Sequence, residues 1–260
     1  MKTPLPLRPK HKLGQNFLTD ANILDKIVGF IAPHPADHMV EVGAGTGAMT
    51  IRLAPLVERL VAIEIDSLLI PALQSIEGVE VLHQDILKTN LRNLEPNGKL
   101  RVVGNLPYYI STAVLLQLIE QREALQDMVL MFQEEVARRI VSPPSNAEYG
   151  YLSVTAQYFC TIESGFRISR NCFFPKPQIE SRVLRFHFKP DLPLSFEEFT
   201  TFLAHSFSQR RKKLRNNLLR TLNVEPGRLD RIFSILEISE LSRAENLSPS
   251  QFESLILQLR

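Results

Sequence analysis

Five short apolar runs limit what this chain can fold into: Met39–Val42, Leu60–Ile65, Val79–Leu82, Leu100–Val103 and Met128–Phe132. Runs of that length are too short for helices and read as buried strands. Between them lie stretches with helical spacing, such as Ser111–Glu120. Strands separated by helices need crossover connections, which gives an α/β fold with a doubly wound, mostly parallel sheet. Each run also ends on residues able to bind or react: Gly43-Ala44-Gly45-Thr46-Gly47, Glu64 and Asp66, Gln84-Asp85, Gly104-Asn105, and Gln133-Glu134-Glu135. In open sheets of this kind, ligands bind outside the carboxyl ends of the strands.

The remaining segments complete the layout. Residues 1 to 15 read as an extended basic arm, and a helix begins near Thr19-Asp20 and stops before Pro33 and Pro35. Another helix follows the glycines to about Val57, and one covers Leu68 to Ile76. Ser142-Pro143-Pro144-Ser145-Asn146 breaks the pattern, so 142–150 is expected to be a mobile loop, with a helix over Tyr151–Phe159. Glu163–Phe174 and Arg182–Phe188 alternate as two strands added at the sheet edge. Lys189-Pro190-Asp191-Leu192-Pro193 reads as a linker, and Phe196–Arg260 shows helical spacing only. The expected domains are therefore 1–190, the α/β part, and 191–260, small and all-helical.

Composition narrows the setting. Cys160 and Cys172 are the only cysteines, too few for a disulfide framework, and no spacing suggests a metal site. No segment has the length of a signal peptide core or a membrane span, so a cytoplasmic protein is expected. Net charge is only +2, but the cations cluster. Lys2, Arg8, Lys10 and Lys12 precede the first acid, and Arg210, Arg211, Lys212, Lys213, Arg215 and Arg220 fill another acid-free stretch. Two basic clusters on an otherwise acidic chain point to a polyanionic partner. An apolar stripe of Phe207, Leu214, Leu218 and Leu222 on a helix near 205–222 would leave Lys212 and Lys213 free for phosphates, with Arg211 close to the stripe.

Gly43, Gly45 and Gly47 follow a strand and open a helix, a context suited to holding a ligand close to the backbone. Glu64 ends the next strand about 20 residues on, where a carboxylate can grip ribose hydroxyls. The glycines alone suit a dinucleotide as well as S-adenosylmethionine. The third glycine, Asp85 at the end of the third strand and Asn105 at the fourth favour S-adenosylmethionine. Asn105 offers a side-chain carbonyl, and Pro107 holds the preceding backbone extended so that the Leu106 carbonyl can point the same way. Two such acceptors can take both hydrogens of an exocyclic amine and free its lone pair, while Tyr108 offers a ring on which the base can stack.

Taken together, Lys12-Leu13-Gly14-Gln15-Asn16-Phe17-Leu18, Glu41-Val42-Gly43-Ala44-Gly45-Thr46-Gly47, Ile63-Glu64-Ile65-Asp66, Gln84-Asp85, Gly104-Asn105-Leu106-Pro107-Tyr108 and Phe173-Phe174-Pro175-Lys176-Pro177 resemble the ribosomal RNA adenine dimethyltransferases. The similarity is to the bacterial small-subunit, kasugamycin-sensitivity branch, and it covers nearly the whole chain. It implies a Rossmann-like enzyme that moves methyl groups from S-adenosylmethionine to two adjacent adenosines near the 3′ end of 16S rRNA. The partner would be an assembling small subunit, and the enzyme a monomer. It further implies that Asn16 and Leu18 line the cofactor pocket, Gly43 faces the methionine end, Glu64 the ribose and Asp85 the adenine, with Gly45 and Asn105 also among the cofactor-binding residues. Asn105, Leu106 and Tyr108 would meet the target base, with Phe173 stacking on its other face. RNA would be met by Lys10, Lys12, Arg210, Lys212 and Lys213. An assembly-factor role could coexist with catalysis, and the macrolide-resistance enzymes of the large subunit are the nearest rival.

Overall fold

The computed structural model describes residues 15–260; Lys10 and Lys12 lie outside them. After the two-residue strand β1 (Phe17–Leu18), the five apolar runs become β2 (His38–Val42), β3 (Arg59–Glu64), β4 (Val79–His83), β5 (Leu100–Asn105) and β6 (Leu125–Gln133). They pair in parallel in the order β4-β3-β2-β5-β6. The chain runs outward from β2 through β3 to β4, then crosses to the other side of β2 for β5 and β6. The order therefore reverses between β2 and β5, and a crevice is expected at their carboxyl ends. Close approach of these two strands requires Gly104, since a Cβ there would lie 2.7 Å from the Val42 carbonyl oxygen.

The far edge differs in part from the sequence expectation. The alternation predicts one strand over Glu163–Phe174. Instead β7 (Cys160–Ile168) stops early, and a turn over 170–172 leads into β8 (Phe173–Phe174), which pairs antiparallel with β1. Ser169 causes the break by accepting a bond from the Asn171 N–H. β9 (Ser181–Phe188) lies between β6 and β7 and completes a seven-stranded sheet.

Helices cover the sheet. α1 (Ala21–Ile31) is capped by the Asp20 side chain and buries Leu24, Ile27 and Ile31. The helix expected to reach Val57 is a single turn, α2 (Thr50–Leu53), followed by a tighter turn over 54–56, because Pro55 has no N–H to continue the ladder. α3 (Ile70–Gln74), α4 (Ser111–Glu120) and α5 (Glu134–Val141) follow the other strands. At the opposite end of the strands from the crevice, buried Arg101 holds the end of α1 in place. Its guanidinium donates to Asp127, Asp37 and the carbonyls of Ile31 and Ala32.

The chain forms two compact units. The first takes the chain as far as Ala137 together with Glu163–Phe186, and the second takes Arg138–Ile162 and His187–Arg260. The division at residue 190 therefore needs correcting, because α6 (Tyr151–Phe159) belongs to the helical unit. Aromatic packing explains this: Tyr158 stacks on Phe199 at 3.8 Å and its hydroxyl donates to Glu253. The other helices of this unit are α7 (Phe196–Ser206), α8 (Leu214–Thr221), α9 (Pro226–Ile235) and α10 (Pro249–Leu259). The 142–150 loop, expected to be mobile, is tied down. Ser145 N–H donates to the Glu245 carbonyl and the buried Tyr149 hydroxyl to that of Leu247.

The basic stretch is a connection, and the single helix predicted near 205–222 does not form. α7 ends at Ser206, and the Asn217 amide donates to the Ser206 carbonyl that the helix leaves open and to the Gln209 carbonyl in the connection. No apolar residue lies between Phe207 and Leu214 to drive burial of this stretch. Arg210, Arg211, Lys212 and Lys213 are all exposed, so Arg211 does not lie along an apolar stripe.

Candidate active site at the carboxyl ends of the central strands

The turn after β2 depends on its glycines. Gly43, Gly45 and Gly47 have φ of 68°, 58° and 79°, a region costly for residues with a Cβ. Space is also short: a Cβ on Gly45 would sit 3.1 Å from the Phe17 ring and one on Gly47 2.7 Å from Ile76 Cδ1.

Glu64 holds this turn from the end of β3. Its Oε2 accepts from Gly45 N–H at 2.9 Å, and its Oε1 accepts from the N–H groups of Ile65 and Asp66 at 2.9 and 2.8 Å. A carboxylate has about four acceptor positions, so roughly one is left for a ligand. A second ribose hydroxyl would have to share an oxygen with an N–H or displace it. Asp85 uses Oδ1 on the Leu87 N–H and keeps Oδ2.

Asn105 ends β5 with its amide orientation fixed. Nδ2 donates to the Asn16 carbonyl at 3.1 Å, which leaves Oδ1 as the amide atom available to a ligand. Tyr108 is held at both ends. Its carbonyl accepts from Ser111 Oγ, and its hydroxyl lies 3.1 Å from Ser181 Oγ. Burial pushes the Tyr108 phenol above its ordinary pKa, partly opposed by the Ser181 bond.

A cavity of about 220 Å³ brings together Asn16, Gly43, Gly45, Glu64, Asp85, Asn105, Leu106 and Tyr108. Leu18 lines a smaller hollow that shares Phe17, Gly43, Gly45 and Asn105 with it. Phe173 is the exception. It is 4% exposed and packs in the core with Leu18, Leu24 and Ile27, whereas Phe174 is 52% exposed. The register explains the difference. Leu18 opposes Phe173 and Phe17 opposes Phe174, and opposite residues share a face of the ribbon. The stacking role expected of Phe173 is thus closed to it in this arrangement, and Phe174 shares the face of Phe17, which lines the cavity.

Two further contributors, Glu41 and Gln15, stand within the sequence motifs but had no role assigned from them. Glu41 is 2% exposed on β2, and its Oε2 accepts from Thr50 Oγ1 at 2.6 Å across the glycine turn. Burial, with a smaller push from Glu64, raises its carboxyl pKa to about 8 despite the Thr50 bond. A charged residue inside an apolar run was the available signal. Gln15 donates to Asp66 Oδ2 at 2.8 Å beside the cavity, a contact that sequence alone cannot reveal.

An amide acceptor at this crevice serves transfer to an amino nitrogen and has no use in hydride transfer. The glycine turn, where a Cβ would fill the space, and the carboxylates of Glu64 and Asp85 suit the amino-acid, ribose and adenine parts of the methyl donor. Fold and site together define a Rossmann-like, S-adenosylmethionine-dependent methyltransferase. The family model described as ribosomal RNA adenine dimethylase matches residues 7–260. The chain belongs to that family, and is an rRNA adenine dimethyltransferase. Among its relatives is ribosomal RNA small subunit methyltransferase A of Ligilactobacillus salivarius, 38% identical over 95% of this chain and 88% of the relative. The protein of the same name from Chlorobium phaeobacteroides is 39% identical over 96% of this chain and 94% of the relative. The crystal structure of a dimethyladenosine transferase from Plasmodium falciparum is similar with a TM-score of 0.82 at 26% identity, covering 94% of this chain and 97% of that one. The 23S rRNA methyltransferase ErmE shares the fold, with a TM-score of 0.69 at 22% identity over 94% of this chain and 99% of that one.

Proposed function

We propose that this chain dimethylates two adjacent adenosines near the 3′ end of 16S rRNA within an assembling small ribosomal subunit, acting as a monomer in the cytoplasm. The names of its relatives support the small-subunit assignment. The observation that carries the chemistry is the Asn105 amide, whose Nδ2 is engaged by Asn16 so that Oδ1 is left for the substrate.

The donor, when bound, supplies an electrophilic methyl on a sulfonium. Gly43 and Gly45 would receive its methionine end beside Asn16 and Leu18, Glu64 its ribose and Asp85 its adenine amino group. Asn105 Oδ1 and the Leu106 carbonyl would accept the two N–H hydrogens of the target adenine. That draws the nitrogen toward tetrahedral geometry and frees its lone pair for the methyl carbon. The methylated nitrogen is acidic enough to release its proton to water, so no general base is required. Positioning of this kind is worth up to about 7–11 kcal/mol. Extruding the base costs a few kcal/mol, offset by stacking on Tyr108 worth about 1–3 kcal/mol. Phe174, exposed on the Phe17 face, replaces Phe173 as the second aromatic platform. Lys212 and Lys213 would meet RNA phosphates, as would Lys10 and Lys12, while Arg210, engaged by Ala147 and Glu245, would add less.

The test is methyl transfer to unmodified small and large subunits, followed by mass spectrometry of the digested RNA. Dimethyladenosine is expected in small-subunit RNA alone. Label confined to large-subunit RNA would overturn the assignment.

A further inference from the structure

The strand β9 begins in a way that the reaction as described leaves unexplained. Ser181 is completely buried, yet it is polar, and its Oγ lies 3.1 Å from the Tyr108 hydroxyl. A buried hydroxyl is tolerated when it is bonded, and this bond is directed at a ring that lines the cavity. Both neighbours of Ser181 are fixed to the junction of β6 and α5. The Glu134 N–H donates to the Glu180 carbonyl at 2.9 Å. Arg182 donates from Nε and Nη2 to the two carboxylate oxygens of Glu134 at 3.0 and 2.9 Å, a bidentate pair of defined geometry. Its Nη1 donates to Ser164 on β7 as well. Ser181 is thus set in a rigid frame built on β6, the strand beside β5, which carries Asn105.

We propose that Ser181 is a positioning residue: its hydroxyl, held by the Glu134–Arg182 frame, fixes the plane of the Tyr108 ring so that the target adenine stacks with its amino group on Asn105. A tyrosine side chain turns about two bonds. Ser111 Oγ anchors the backbone end through the Tyr108 carbonyl, and Ser181 anchors the ring tip. With both ends held, the stacking surface is set before the base arrives, and no ordering entropy is spent at that moment. The second methyl transfer, in a pocket that also holds the first methyl, is the step most sensitive to the ring plane. The proposal rests on Tyr108 being the platform for the base.

The experiment compares Ser181→Ala, Tyr108→Phe, their combination and Tyr108→Ala on unmodified small subunits. Ser181→Ala should fold with the wild-type melting temperature and donor affinity. Its kcat should fall about fivefold to tenfold, the scale of one lost hydrogen bond, with KM for the subunit little changed. The products should shift from dimethyl- toward monomethyladenosine. Tyr108→Phe removes the same bond without touching the buried serine, so it reports even if Ser181→Ala is unstable. The combined variant should be no slower than either single one. Wild-type kcat and product ratio in Tyr108→Phe, or multiplicative losses in the combined variant, would overturn the role of Ser181. Wild-type turnover in Tyr108→Ala would instead remove the platform reading beneath it.

Discussion

Asn105 can present only one oxygen to a substrate, because its Nδ2 is committed to the Asn16 carbonyl. On the proposed mechanism, replacing it with alanine removes one of the two acceptors that would hold the target amine. By analogy with the loss of one aligned hydrogen-bonding group in other active sites, kcat should fall roughly 10²-fold or more while folding is retained. Single-turnover methyl transfer, with donor binding measured by calorimetry, checks this. Phe173 is buried and Phe174 exposed, so on the proposed reading the first serves packing and the second contact with RNA. Phe173→Ala empties a core position and should cost about 3–5 kcal/mol in denaturant unfolding. Phe174→Ala should leave stability nearly unchanged and raise KM for the RNA substrate. If Phe173→Ala were stable and only slow, that ring would have to leave the core to act.

The glycine turn is held between two elements, and its pH dependence follows from Glu41. That carboxyl titrates near 8 in the folded chain, raised chiefly by burial from 4.5, so between those values the native state retains a proton that the unfolded chain releases. The native state then binds more protons, and stability falls as pH rises through this window. Glu41→Gln keeps an acceptor for Thr50 without a titrating group. Melting temperatures across pH 5 to 8 should show wild type losing stability relative to this variant as pH rises, and parallel curves would exclude the effect. The strands, the glycine turn and the acids at strand ends were legible because each is a local pattern, a short apolar run closed by a functional residue. Arg101 was not, since its partners Ile31, Asp37 and Asp127 come from distant points on the chain and meet only on folding. Ser181 was hidden for the same reason. The burial of Phe173 depended on the register between β1 and β8, which neither two-residue strand encodes by itself.

At the scale of the whole molecule, the connection between α7 and α8 carries four consecutive cations, Arg210 to Lys213, which do not stand equal. Arg210 is engaged within the unit. Its Nη2 donates to the Ala147 carbonyl at 2.7 Å, and its Nε lies 3.6 Å from Glu245. Lys212 and Lys213 are exposed just before Leu214, whose N–H donates to the Ser242 carbonyl and fixes the end of the connection. An ion released from RNA is counted only where a protein charge replaces it, so a cation already facing a carboxylate contributes less. Neutralising both lysines to glutamine should therefore lower the salt slope of RNA binding by roughly two units, weaken binding regardless of RNA sequence, and leave donor affinity unchanged. Arg210→Gln should lower the slope by well under one unit. Binding measured over a series of salt concentrations distinguishes these outcomes. A full unit lost at Arg210, with no change on replacing both lysines, would mean that RNA displaces Glu245 and that the phosphates sit on the arginine side of the loop.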